Sequence, residues 1–200
     1  MRFSLLSLFI ILNFTASAQQ NDSLSNSYFG FIVSLIYDAP NTTYLTSKVE
    51  TYSAPGFRLG AQALLNAQGK VNYVPRFAFI HSYAGNVYSD KYLWNYFPVG
   101  FEFGMTFRFK FTEKVYMGLD IYDRTSEAYK VGYLADKRNN LLGGAMSFGW
   151  ISGDRILFNP ELSYGIGYLF HNIPGTKEVW MHTLSLSFSI LGSPKQKEQG

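Results

Sequence analysis

The sequence predicts an all-β fold: an eight-stranded antiparallel up-and-down β-barrel that spans a membrane. Three observations carry that expectation. Apolar and polar residues alternate with period two in eight successive segments. The links between those segments are short and long in strict turn, as in barrels with tight turns on one rim and longer loops on the other. No stretch offers the ~20 apolar residues of a spanning helix, so a membrane form has to be a closed barrel.

The chain opens on an address. Met1 and Arg2 give a short positive start, residues 4–14 form a mostly apolar run, and Ala16-Ser17-Ala18 fits a small-x-small cleavage pattern. Residues 1–18 therefore read as a cleaved signal peptide and 19–27 as a polar lead-in. The barrel is expected over 28–191 and a polar C-terminal tail over 192–200.

The eight expected strands are 28–37, 55–65, 70–82, 96–109, 114–123, 140–151, 155–170 and 179–191. The fourth has the clearest pattern. Phe97, Val99, Phe101, Phe103, Met105, Phe107 and Phe109 share one face, and Gly100, Glu102, Gly104, Thr106 and Arg108 share the other. Short turns fall at 66–69, 110–113 and 152–154, and longer links at 38–54, 83–95, 124–139 and 171–178. Pro75, Pro98 and Pro160 fall inside expected strands, where each removes a ladder donor, so bulges or shifted boundaries are expected there.

Composition bears on which face is outside. Mean hydropathy is −0.03, far below that of a helical membrane protein. A barrel needs no more, because only alternate strand residues face lipid. Charged residues make up 16% of the chain, against a usual quarter. All ten Lys lie at turns, links, strand ends or the tail. The polar faces carry Gly, Ser, Ala and Thr instead, which does not suit a soluble barrel whose polar face meets water.

Three positive and three negative residues do fall on those faces: Arg58, Arg76 and Arg108, with Glu102, Asp120 and Glu161. An eight-stranded barrel is filled by its own side chains, and charges buried there have to be paired. These six are therefore expected to form an interior salt-bridge network. Gly100, Gly104, Gly118, Gly143, Gly149, Gly165 and Gly167 leave room for it. Aromatic girdles are expected from Tyr37, Tyr96, Tyr122, Tyr168 and Trp180 on one rim, and from Tyr28, Tyr73, Phe109, Phe111 and Trp150 on the other.

The exported start, the eight period-two strands and the Gly/aromatic alternation resemble the small outer-membrane barrels of the OmpA transmembrane-domain, OmpX and PorT-like kind. The resemblance covers residues 28–191 and is one of pattern, without a diagnostic motif. It implies a bacterial outer-membrane location, with outer-membrane lipid and lipopolysaccharide as surroundings. Such proteins often end on a strand with a terminal aromatic. Here Phe188 lies within the last strand and the tail at 192–200 follows.

The remaining signals are exclusions and weak candidates. A net charge of +3 is too small to point to nucleic acid. Cys is absent, so there is no disulfide framework and no thiolate chemistry. No His pair or acid cluster has metal-ligand spacing, and no phosphate loop implies a cofactor. Some barrels of this size are lipid A-modifying hydrolases with a His-x-Ser pattern. His81, His171 and His182 all lack that pattern, which leaves His171 with Glu178 as a candidate extracellular-rim site. Tyr44, Tyr83, Tyr88, Tyr92, Trp94 and Tyr96 give the outer links the composition of adhesive surfaces, suited to a surface ligand. The leading expectation is a non-enzymatic outer-membrane barrel with a plugged interior, structural, adhesive or secretion-assisting. A lipid A-modifying hydrolase and a soluble periplasmic lipocalin-like barrel are the alternatives.

Overall fold

The computed structural model describes residues 27–44, 49–88, 92–130, 133–170 and 176–193. The expected signal peptide at 1–18, the expected lead-in before Ser27, the expected tail beyond Ser193 and His171 lie outside the described residues.

The strands are β1 (Tyr28–Tyr44), β2 (Val49–Tyr52), β3 (Ala54–Leu64), β4 (Val71–Tyr88), β5 (Tyr92–Lys110), β6 (Val115–Lys130), β7 (Tyr133–Trp150), β8 (Ile156–Phe170) and β9 (Thr176–Gly192). β2 and β3 are interrupted only at Ser53 and both pair with β4, so together they form one stave of the barrel. Every pairing is antiparallel. The ring runs β3–β4–β5–β6–β7–β8–β9 and closes through β1 onto β3. The result is a closed eight-stranded up-and-down barrel, as the alternation predicts.

Its stagger can be counted. In register, Trp180 pairs with Tyr168, then Leu142, Asp123, Phe103, Phe77, Ala61 and Phe31, and the path returns to β9 at Ile190. The return point is ten residues further along the strand. With ~3.3 Å per residue and ~4.8 Å between strands, a stagger of ten over eight strands tilts them by about 40°. Each residue then rises about 2.5 Å along the barrel axis, and each step between strands is worth about one and a quarter residues.

Exposure follows the period of two. Phe31, Val33, Leu35, Phe77, Phe101, Leu119, Ile121, Phe148, Leu184, Leu186 and Phe188 face outward, while Ser34, Arg58, Arg76, Glu102, Asp120, Ser185 and Ser187 face inward and are buried. A lipocalin-type barrel needs the opposite polarity. Two aromatic assignments change. Tyr122 is 3% exposed and points into the lumen, because it shares the even-numbered face with Asp120 and Arg124. Tyr28 packs against the buried Leu64 cluster and donates its hydroxyl to the carbonyl of Asp154 at 3.0 Å.

The strands are longer than the sequence pattern suggests. Much of 38–54, 83–95, 124–139 and 171–178, expected as links, is ladder: β4 and β5 stay paired to Tyr88↔Tyr92, and β6 and β7 to Lys130↔Tyr133. The turns on the other rim are short, as expected. Asn66 takes the left-handed φ of 57° and accepts the Gly69 N–H at 2.9 Å, and Gly153 supplies a φ of 99°.

The prolines sit where the ladder has a gap. Pro98 falls in the register shift between Asn95 and Gly100. Pro160 lies one residue past the last β7–β8 pair, Gly149↔Glu161. The N–H and C=O of Tyr73 both bond to Leu65. Two residues on, Pro75 turns the same edge toward β3, between that bridge and the last β3–β4 pair at Gln62↔Arg76.

Candidate functional site

The site is the interior. Even-numbered residues of β3–β6 point into the lumen, and Glu102 on β5 is the hub. Its Oε1 accepts from Arg76 Nε at 2.9 Å, and its Oε2 accepts from Arg58 Nη2 at 3.0 Å and Arg124 Nε at 2.7 Å. Arg76 also donates to Asp120 Oδ2 at 2.5 Å and to Thr106 Oγ1 at 3.1 Å, and Thr106 donates to Asp120 Oδ1. Arg124 reaches on to Asp38 Oδ1 at 3.1 Å, an oxygen that also accepts from Thr183 Oγ1 at 2.6 Å.

A second group lies nearer the short turns. Arg108 Nη2 donates to Glu161 Oε2 at 3.0 Å, and Tyr116 donates to the same oxygen at 2.7 Å. Asn159 in turn donates to the Tyr116 hydroxyl at 2.7 Å, and the Arg108 guanidinium lies over the Tyr116 ring.

All six charges singled out in the sequence are buried here and take part in ion pairs. Two further partners, Asp38 and Arg124, were not singled out because both fall where links were expected. Parity reveals them: Asp38 continues the inward series Ile32, Ser34, Ile36, and Arg124 continues Tyr116, Gly118, Asp120, Tyr122. With them, the described interior holds four positive and four negative residues.

Apolar layers close the charge layer on both sides. Ile80, Tyr122, Leu141, Leu169, Val179 and Met181 cluster toward the long-hairpin rim. Leu64, Val74, Tyr116, Ile151, Leu157 and Leu191 cluster toward the short turns. A cavity of about 10 Å³ between Arg58, Asp120, Tyr122, Arg124, Ser163 and Thr183 is the size of a single water.

Two pairs of interior serines bond to each other, Ser34 to Ser187 at 2.8 Å and Ser163 to Ser185 at 2.6 Å, and among the described residues neither pair is hydrogen-bonded to a His or carboxylate that could act as general base. Glu178 is exposed on the outer face of β9. His171, its expected companion, is outside the described residues. Among the described residues no group of three or more His and carboxylate side chains is placed to hold a metal ion.

The outer wall is organised by height. After correction for the stagger, Tyr37, His81, Thr125, Tyr168 and His182 fall within about 4 Å of one another along the axis. Phe29, Tyr73, Phe109, Trp150 and Phe158 form an equally tight ring near the short turns. The rings are about 22 Å apart, close to the ~25 Å apolar band of a transmembrane barrel. Between them the wall is apolar except for Asp123 and the Tyr164 hydroxyl, with Phe77 stacked on Phe101 at 5.7 Å and Phe188 stacked on the ring residue Phe158 at 6.1 Å. Tyr164 carries a hydroxyl within the band, paired at 2.7 Å with Nδ1 of His182 in the ring.

No family model and no curated protein sequence matches the chain. Among solved structures, Neisserial surface protein A is similar over 80% of this chain and 96% of its own, at 14% identity and TM-score 0.49. Ail, the attachment invasion locus protein of Yersinia pestis, is similar over 83% and 99% at 12% identity and TM-score 0.47. The outer membrane protein OprG of Pseudomonas aeruginosa is similar over 85% and 97% at 11% identity and TM-score 0.35.

Proposed function

We propose that this chain is a bacterial outer-membrane β-barrel, exported through a cleaved signal peptide, with a sealed interior and no catalytic activity of its own. The observation that carries the reading is the pairing of an apolar wall about 22 Å high with a polar interior whose eight buried charges balance. Water cannot satisfy the backbone in a hydrocarbon layer, and a closed ladder with apolar side chains outside meets that requirement. The Glu102 hub and the apolar layers on both sides of it support a plug rather than a pore.

The role is structural and adhesive. β6 and β7 remain paired five residues beyond Thr125, to Lys130, so the barrel carries paired strands above the band. Their Tyr-, Asn- and Trp-containing sequences suit a surface ligand, with lipopolysaccharide and other outer-leaflet lipid as the barrel's surroundings.

Two measurements test this. The outer-membrane fraction should contain a species that migrates faster unboiled than boiled, and recovery in the soluble periplasm would refute the membrane assignment. Purified protein in planar bilayers should give no steady conductance. Sustained open-channel currents would refute the plug.

A further inference from the structure

Asp123 is the one charged side chain on the outer wall between the two rings, among the described residues. Its partners in register are Phe103 on β5 and Leu142 on β7. It is partly exposed, and none of the ion pairs among the described residues includes it. A carboxylate on a lipid-facing wall is costly without a partner and marks a candidate functional position.

Its surroundings are polar in one direction only. Thr125 is two residues toward the long-hairpin rim on the same face, and Asn140 is directly opposite Thr125 on β7. Cross-strand neighbours have Cβ atoms ~5 Å apart and same-face neighbours along a strand lie ~7 Å apart, so the three side chains bound one small patch. The bare wall at Gly144, where a Cβ would meet nothing nearer than Asp120 O at 3.4 Å, leaves a recess diagonal to Asp123.

We propose that Asp123, Thr125 and Asn140 form a binding site for a lipid headgroup carrying a primary ammonium, taken from the leaflet on the long-hairpin side. The inference rests on the transmembrane reading above. A carboxylate, a hydroxyl and an amide oxygen offer three acceptors to the three N–H donors of an ammonium group, and the charges cancel one to one. A quaternary choline headgroup has the same charge but no N–H, and fits the patch less well.

The test uses the refolded full barrel in vesicles of phosphatidylethanolamine and phosphatidylcholine, mixed one to one with matched acyl chains. Lipid retained on the released barrel is counted by native mass spectrometry. The ethanolamine lipid should be enriched about threefold over choline, the size of a partly exposed ion pair. Asp123→Asn should abolish the enrichment while remaining heat-modifiable, and Thr125→Val should reduce it. Equal retention of both lipids, enrichment that survives Asp123→Asn, or enrichment lost in EDTA would each overturn the ammonium site while leaving the membrane reading intact. Failure to insert into any vesicle would overturn both.

Discussion

The two halves of the barrel wall fill the lumen in opposite ways. The half made by β3–β6 sends in long side chains: Arg58, Arg76, Glu102, Arg108, Tyr116, Tyr122 and Arg124. The half made by β7–β9 and β1 answers with Gly143, Ser147, Gly149, Ser163, Gly165, Ser185, Ser187 and Ser34. An eight-stranded lumen has no room for bulk from both sides. The contact surfaces show the fit: a Cβ on Gly143 would lie 2.5 Å from Tyr122 Cζ, and one on Gly104, on the bulky half itself, 2.9 Å from Arg76 Cζ. One half therefore carries six of the eight buried charges, Asp38 and Glu161 being the two that come from the other, and that other half supplies most of the small residues facing them, so substitutions at the two kinds of position should fail for different reasons.

The largest effect is expected at the hub. Glu102→Ala removes the partner shared by Arg58, Arg76 and Arg124, all buried, and leaves three guanidinium groups with fewer acceptors. Breaking a buried pair typically costs about 3–5 kcal/mol, and urea unfolding of the detergent-solubilised barrel should show a loss of that size. An unchanged midpoint would mean that water reaches Glu102.

Next comes bulk added to the small half. Gly143→Ala should cost about 1–3 kcal/mol by overpacking against Tyr122, and Tyr122→Leu in the same chain should recover much of the loss. If the double variant is no better than the sum of the singles, the two halves do not meet there.

These halves were only partly legible beforehand. The eight strands, the outward face and six of the eight interior charges follow from alternation alone. Asp38 and Arg124 did not, although each continues its strand's inward series without a break. The reason lies on the other face. Beyond Tyr37 the outward residues become Ala39 and Asn41, and beyond Asp123 comes Thr125. Outside the apolar band both faces are polar, so the period-two hydrophobic signal ends while the ladder continues. The same loss made the hairpin extensions read as links. Tyr122 and Tyr28 were misplaced because aromatic content near a strand end was read without its parity.

A smaller effect is expected where the small half bonds to itself. Ser187→Ala removes the 2.8 Å contact with Ser34 but no charge and little volume. A loss of about 0.5–1.5 kcal/mol is expected from a neutral hydrogen bond, well below that at Glu102. A loss as large as that of Glu102→Ala would mean that the serine seam between β1 and β9, not the charge layer, governs closure.

The smallest expected effect is that of salt on the wild-type barrel. Between about 0.01 M and about 1 M salt the Debye length falls from roughly 30 Å to roughly 3 Å, and exposed ion pairs are screened accordingly. The pairs around Glu102 are enclosed by the barrel wall and by apolar layers on both sides, so counterions do not reach them. The urea midpoint in a non-ionic detergent should therefore stay nearly constant across that range, while Glu102→Ala stays displaced by the same amount throughout. A wild-type midpoint that falls toward that of the variant as salt rises would mean that ions enter the charge layer. The bulky and small halves would then leave a path between them, and the interior would be a narrow conduit rather than a plug.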